Sequence, residues 1–295
     1  MLMNARKVAV KDCGGEAPVN VQEQKFVSVE KIYGISPAEA TGTRLTIPPH
    51  FRNFSGLVDV SNERKAARHV LTRVLTILAW LYLSGFIGYL LGSFPTAYLA
   101  VKWIKRIDIR KAGSGNVGVL NAYTVSGSRV ITLCVLLIDM AKGALAVMVT
   151  DTLIGHGFVY LAAAAIGAVL GHNFPVWLKF KGGRGLATAA GAALVLSWQL
   201  IIFWVVFWSA GFIMTRRVNV ANTIASALTL VGVLASPPSY LRQIILNDAQ
   251  VPHFKYFCAL LFGLILIKHI EPLQEFVKEV RNSKRLVEDA RNAGV

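Results

Sequence analysis

Between residues 76 and 270 the chain carries only four acidic residues, Asp108, Asp139, Asp151 and Asp248, against fifteen Lys or Arg. The rest of that interval is a succession of apolar runs. This solvent preference limits the fold more than any motif does. A helix that crosses a bilayer needs about 20 mostly apolar residues. The runs 76–101, 130–150, 158–177, 186–197, 199–215, 220–236 and 254–270 are the candidates. The stretch 186–215 is too long for one upright helix and is split near Ser197, giving two short or tilted helices. The expected fold is all-α: a polytopic membrane helix bundle of about seven transmembrane helices. Overall the chain is 54% hydrophobic and 16% charged, where a soluble domain carries about a quarter charged residues.

Three regions follow from composition. Residues 1–75 are polar and hold Pro18, Pro37, Pro48 and Pro49; they read as a partly disordered extension with a short helix near 61–74 and no signal peptide. Residues 76–272 form the membrane domain. Residues 273–295 are a charged tail, placed in the cytoplasm. The formal net charge of +15 does not point to nucleic acid, because no basic helix with polar base readers is present. The basic residues sit at the ends of apolar runs, as in cytoplasmic loops facing anionic lipid. Loops 102–111 and 178–185, Arg216-Arg217 and the tail after Lys268 are all placed inside. The same count puts Arg64, Lys65, Arg68 and Arg73 outside, against the rule. Cys13, Cys134 and Cys258 match neither a metal site nor a disulfide framework and read as small buried hydrophobes. Dense Gly and Ala in "YLAAAAIGAVLG" and "LATAAGAALVL" suit close backbone approach in lipid.

Two basic, glycine-bearing loops interrupt the apolar body. In 92–121, Arg110 and Lys111 precede Gly113, Ser114, Gly115 and Asn116; two glycines around a serine allow a nest of N–H groups beside a cation. In "GHNFPVWLKFKGGRGLATAAG", 171–191, Lys181 and Arg184 flank Gly182, Gly183 and Gly185, and a helix starts near Leu186. Exposed N–H groups, charge and a helix N-terminus are what a phosphate needs, although Walker spacing is absent. Thr188 lies in that first turn. Either stretch also reads as an ordinary basic loop with turn glycines. Asp139 and Lys142, three apart inside an apolar run, share one helical face; an internal ion pair and a ligand-binding role are both open. His172 and His269, at helix ends, are candidate general bases. No HxxxxD pattern occurs, and no carboxylate cluster for a metal, so neither a His-Asp acyltransferase nor a metal-dependent alcohol phosphotransferase fits; no metal or other cofactor is expected.

The segments "GSFPTAYL", "IDIRKAGSGNVG", "IDMAKG" and "GHNFPVWLKFKGGRGLATAAG" resemble the bacterial acyl-phosphate:glycerol-3-phosphate acyltransferases of the PlsY type, over roughly residues 80–275. The resemblance implies a seven-helix inner-membrane enzyme in phospholipid synthesis, without a metal. Its substrates would be acyl phosphate and glycerol 3-phosphate, its product lysophosphatidic acid. It assigns substrate contact to Ser114, phosphate binding to Gly182, Gly183 and Gly185, and a third-motif role to His269; Arg184 stands where the family has lysine. Ser114, Arg110 and His269 are then the catalytic candidates. Lys181, Gly182, Gly183, Arg184, Gly185, Gly113, Gly115, Asn116, Lys142, Ser93 and His172 are the binding candidates. Three departures bear on the acceptor side more than on the acyl-phosphate loop: Thr124 replaces an arginine, Pro272 an asparagine, and the segment "NAYTVSG" is altered. Arg129 is one candidate to supply that cation. The same loops would suit an organic-phosphate transporter, which the lack of an internal repeat disfavours, or a paralogue with an altered acceptor or no activity, which Thr124 and Pro272 favour. Nothing in the sequence sets an oligomeric state.

Overall fold

The computed structural model describes residues 60–245 and 249–292. The expectations for 1–59 and 293–295 lie outside these residues. The chain divides after Glu63, and apart from Val60–Glu63, the start of the first helix, everything below lies in Arg64–Val295.

Every regular element among the described residues is helical. In chain order they are α1 (Val60–Gly92), α2 (Thr96–Lys105), a 3-10 turn (Ile109–Lys111), α3 (Val119–Ser126), α4 (Arg129–Leu153), α5 (Phe158–Asn173), a second 3-10 turn (Val176–Leu178), α6 (Leu186–Leu196), α7 (Gln199–Thr215), α8 (Val218–Ala235), α9 (Pro238–Ile244), α10 (Val251–Ile267) and α11 (Ile270–Asn292). Among the described residues, four stretches are by length and composition apolar enough to cross a membrane: Arg64–Lys105, Arg129–Leu153, Phe158–Leu178 and Val218–Ala235. The bent pair α10–α11 makes a fifth, and α6 and α7 are shorter apolar helices. At 1.5 Å per residue α6 is about 17 Å long, well short of a bilayer core. Helix length therefore does not establish seven full spans.

The differences from the sequence expectation have local causes. The run 76–101 is not one helix. Pro95 lacks an N–H and pushes Phe94 out of the helical region, so α1 stops at Gly92 and α2 begins at Thr96. The helix expected near 61–74 is the first part of α1, which runs unbroken across residue 75. The 158–177 run ends at Asn173, two residues before Pro175. The final run breaks at Lys268-His269, and the chain continues at 48° as α11, so 273–292 is helical. The split between α6 and α7 does fall at Ser197, whose buried hydroxyl donates to the Ile244 carbonyl at 3.0 Å.

Small residues set the helix crossings. A Cβ on Gly88, Gly92 or Gly167 would run into the backbone of the facing helix at Ala164, Ala168 or Gly85, which locks α1 onto α5. Gly143 and Gly191 do the same for α4 and α6, against Thr188 and Met140. This is the small-residue packing expected where lipid supplies no apolar drive between helices. Large apolar residues at Leu133, Leu137, Leu145, Ile202, Val206 and Ile213 stay exposed, as on a lipid-facing wall.

Candidate active site

The loop 111–118 is organised by a residue outside the motif. Asn121, in the first turn of α3 and buried, accepts from the Ser114 N–H at 3.0 Å. Its amide nitrogen donates to the carbonyls of Ile109, Ala112 and Asn116 at 3.2, 3.1 and 2.9 Å. Gly113 and Gly115 have φ of 58° and 69°, the left-handed region where a Cβ is strained. A Cβ at Gly113 would also strike Asn121 Oδ1. The hydroxyl of Ser114 is left at the surface.

Arg110 is committed elsewhere. Its Nε and Nη2 meet the two Asp108 carboxylate oxygens at 3.0 and 2.8 Å, its own N–H is capped by Asp108 at 3.0 Å, and its guanidinium lies 4.9 Å from the centre of the Tyr98 ring. The hydrogen bond from Arg110 holds the Asp108 carboxyl down to about 2. This pair fixes the 3-10 turn that leads into the glycine loop.

The second loop is held differently. The Gly182 N–H donates to the Asn173 carbonyl at 3.2 Å, and the Gly183 N–H to the His172 carbonyl at 3.0 Å. Both glycine N–H groups are therefore spent on the end of α5. The glycines serve close approach instead. A Cβ on Gly183 would collide with the His172 ring and sit 2.6 Å from the Val117 carbonyl, and one on Gly182 would collide with the His172 carbonyl and with Pro175. The two motif loops thus touch at Val117 and Gly183. Beyond them the N–H groups of Arg184, Gly185 and the first turn of α6 have no protein acceptor among the described residues, as helix geometry dictates. Lys181 is exposed.

Behind the loops lies a buried polar cluster. Lys142 Nζ is 2.9 Å from Asp139 Oδ1 and donates to the Phe94 carbonyl at 3.1 Å, so one ammonium neutralises α4 and caps the break between α1 and α2. His172 Nδ1 stands 3.8 Å from the same carboxylate. Ser93, also buried and just past the end of α1, donates to the Tyr89 carbonyl at 2.7 Å.

A cavity of about 820 Å³ joins these parts. Asn116 and Gly118 from the first loop, Arg184 and Gly185 from the second, Asp139, His172 and His269 all border it. Arg129, Thr132, Asn219 and Asn222 add polar groups, and most of the remaining wall is apolar, from Leu133 and Leu136 of α4 to Trp204 and Trp208 of α7. His269 is fully buried. Its Nδ1 lies 2.8 Å from the Ile265 carbonyl; a carbonyl only accepts, so Nδ1 carries the proton and Nε2 is a bare acceptor, with no partner among the described residues. Arg184 Nη1 donates to Asn219 Oδ1 at 2.7 Å. Burial pushes the Arg184 guanidinium down, against the opposing pull of Glu271 and Glu275.

Of the residues singled out from sequence, Asn116, Arg129, Asp139, Arg184, Gly185, His172 and His269 border the cavity. Gly113, Ser114, Gly115, Gly182 and Gly183 shape the adjoining loops. Arg110, Lys142, Ser93 and Lys181 do not line it. Thr124 faces away, its hydroxyl donating to the Leu120 carbonyl at 3.1 Å. Sequence reasoning passed over Asn121, Asn219 and Asn222. The last two stand three apart on α8, and amides three apart in an apolar run share a face. Asn222 accepts from Trp208 Nε1 at 2.7 Å.

Helices of this apolarity around a pocket with a cationic and an apolar wall define an integral membrane protein that receives an amphiphile. The sequence model of a family described as glycerol-3-phosphate acyltransferase matches residues 82–279. Glycerol-3-phosphate acyltransferase 2 of Thermotoga maritima is 40% identical over 146 residues, 50% of this chain and 72% of the relative. The glycerol-3-phosphate acyltransferase of Myxococcus xanthus is 37% identical over 183 residues, 62% of this chain and 88% of the relative. Among solved structures, crystal structures of PlsY (YgiH), an integral membrane glycerol 3-phosphate acyltransferase, superpose with a TM-score of 0.56 at 26% identity, over 68% of this chain and 92% of that one; one is the glycerol 3-phosphate form, the other the lysophosphatidic acid form. The chain belongs to the glycerol-3-phosphate acyltransferase family. It is a multi-pass membrane acyltransferase.

Proposed function

We propose that the protein transfers a fatty acyl group from acyl phosphate to the 1-hydroxyl of glycerol 3-phosphate, releasing phosphate and lysophosphatidic acid at the inner membrane. The observation that carries this reading is the meeting of both motif loops on one cavity with a cationic and an apolar wall. Residues 76–272 are the catalytic domain in this reading, the segment before 76 is an appendage to it, and the basic loops face the cytoplasm.

The acyl chain lies along the apolar wall, past Leu133 and Trp208. The N–H groups at the start of α6 and the Arg184 guanidinium take the donor phosphate, since a helix N-terminus and a cation both favour an anion. Gly182 and Gly183 act by packing, which sets where α6 starts. The acceptor hydroxyl oxygen attacks the acyl carbonyl carbon. The bond from that carbon to the phosphate oxygen breaks, and phosphate leaves with the electron pair. The bare Nε2 of His269 takes the hydroxyl proton. No covalent acyl-enzyme is needed, because the donor is already an activated anhydride. Holding both substrates in register and stabilising charge suffice. Ser114 orients the acceptor at the cavity mouth. Arg110 holds the loop that carries Ser114, and Lys142 with Asp139 holds the helix break behind it.

The test is acyl transfer by the purified full chain in detergent, given palmitoyl phosphate and labelled glycerol 3-phosphate. Lysophosphatidic acid is the expected product. A folded protein that forms none would overturn the reading.

A further inference from the structure

We infer that the end of α2 and the turn that follows α5 form one surface that binds the anionic headgroups of the bilayer. The two segments close the candidate spans Arg64–Lys105 and Phe158–Leu178. Those spans run in the same direction, since Gly88 meets Ala164 and Gly92 meets Ala168, so both segments emerge on one face. They are also neighbours: Leu178 of the turn is buried in one apolar cluster with Ala97 and Val101 of α2. What they leave outside is ill suited to water. Trp103 is 71% exposed, Trp177 65% and Phe180 59%. The chain accepts strain in both segments. Arg106, Lys179 and Phe180 have φ of 61°, 54° and 62°, a region that costs any residue with a Cβ and a bulky one most.

Cations stand among these rings. Lys102, Lys105 and Arg106 lie in one segment, Lys179 and Lys181 in the other, and all five are exposed. None of them is in an ion pair among the described residues. Between 93 and 185 the carboxylates are Asp108, Asp139 and Asp151. The first is held by Arg110 and the second by Lys142, while the third lies near the far end of α4 beside His156. The acids of α11 act elsewhere, Glu271 and Glu275 on Arg184 and Glu279 on Arg217. Aromatic rings settle at headgroup level, and each cation near an anionic surface adds about fivefold to the attraction. The cations alone would also suit an acidic protein; the rings, at the ends of two spans, decide for the bilayer. None of these exposed residues lines the large cavity, so the inference does not depend on the reaction assigned there.

The experiment places the full chain in bilayers of phosphatidylcholine and phosphatidylglycerol. One lipid or the other is brominated high on its acyl chains, at the same mole fraction, and bromine quenches an indole that it touches. Subtracting the emission of Trp103→Phe, or of Trp177→Phe, from that of wild type isolates one of the six tryptophans. Brominated phosphatidylglycerol should quench that emission at least about twofold more than brominated phosphatidylcholine does. The preference should vanish in Lys102→Gln/Lys105→Gln/Lys179→Gln. It should vanish for wild type at about 1 M salt, where charges are screened beyond about 3 Å. Equal quenching by the two lipids overturns the inference, because the rings would then be interfacial anchors without a choice of headgroup. Emission open to aqueous acrylamide and untouched by either lipid overturns it as well, and leaves the face to an acidic soluble protein. All the replaced residues are exposed, so an unchanged melting temperature is expected. The comparison of the two lipids on wild type needs no charge variant and stands even where the triple variant unfolds.

Discussion

The two motif loops look alike in sequence, each with glycines beside cations, but they are built on opposite principles. Loop 111–118 turns around one side chain. Asn121 satisfies four backbone groups at once, and the glycines supply the left-handed conformations that let the loop wrap it. Loop 179–185 is fastened by backbone to the end of α5, and its central glycines exist because a Cβ would meet His172 or Val117. The first loop therefore tolerates what preserves an amide at 121. The second tolerates nothing larger than hydrogen at 183. A glycine beside a lysine is thus no sufficient sign of a phosphate nest: the N–H groups of Gly182 and Gly183 are consumed by the fold, and those free for an anion lie further on, at the start of α6.

The hardest test of this contrast is Gly183→Ala. The methyl has no room without moving the Val117 carbonyl or the His172 ring, so the two loops must part. A displacement of about 1 Å at a reacting centre can cost about a hundredfold in rate, and overpacking costs about 1–3 kcal/mol of stability. We expect acyl transfer to drop about a hundredfold or more while the helices stay folded. Gly232→Ala is the control: nothing lies within 4 Å of the added methyl on α8, so activity and melting should not suffer. Full activity in Gly183→Ala would remove close packing as the reason for that glycine.

The next largest effect is expected at Asn121. Truncation to Ala removes four side-chain hydrogen bonds and leaves the Ser114 N–H and the Asn116 carbonyl unpaired, while the Ile109 and Ala112 carbonyls keep the N–H groups of Ala112 and Gly115. At about 1 kcal/mol per lost hydrogen bond, partly regained from water, stability should fall by about 2–4 kcal/mol, read by thermal unfolding in detergent. Asn121→Asp sharpens the contrast. It keeps the acceptor for Ser114 but turns a carboxylate oxygen toward the carbonyls of Ile109, Ala112 and Asn116. It should therefore be at least as damaging as Ala despite its near-identical shape. An Asp variant as stable as wild type would show that the amide donor is not what holds the loop.

How far this was legible from sequence differs by level. The apolar runs, the split at Ser197 and the two loops on one cavity could be read, because hydropathy reports solvent and because glycine with a cation is rare inside an apolar chain. The breaks at Ser93–Pro95 and Lys268-His269 were absorbed into longer runs, since hydropathy says nothing of where a carbonyl is satisfied. Lys142 reaches across 48 positions to cap Phe94, which no local pattern encodes. The short helices α3 and α9 were missed for lack of length. Asn121 was overlooked because its partners lie in the loop before it, so its own neighbourhood looks like ordinary helix. Arg110 seemed a catalytic candidate by position; its partner Asp108 was in view two residues away, but the fork geometry and the Tyr98 ring were not.

The smallest expected effect follows from that last point. Arg110→Lys keeps the charge and loses the bidentate fork and the stacking on Tyr98. The pair is partly exposed, with about a third of the arginine side chain open to solvent, so its worth is about 0.5–1 kcal/mol after screening. Because the Asp108 carboxyl is depressed in the folded chain, to about 2 from its usual 3.8, the pair's contribution is fully present above the unfolded value and fades only as pH falls through the folded one. Across roughly pH 5 to 9 the difference in melting between wild type and variant should therefore stay small and constant. The rate should stay within about threefold, because a pair that only shapes the 3-10 turn acts on the substrate through Ser114 and not by contact. A hundredfold loss of rate in Arg110→Lys at unchanged melting would mean that the guanidinium leaves Asp108 to meet the substrate. The first loop would then be a binding element in its own right, and the contrast between a loop held by a side chain and one held by backbone would no longer separate their roles.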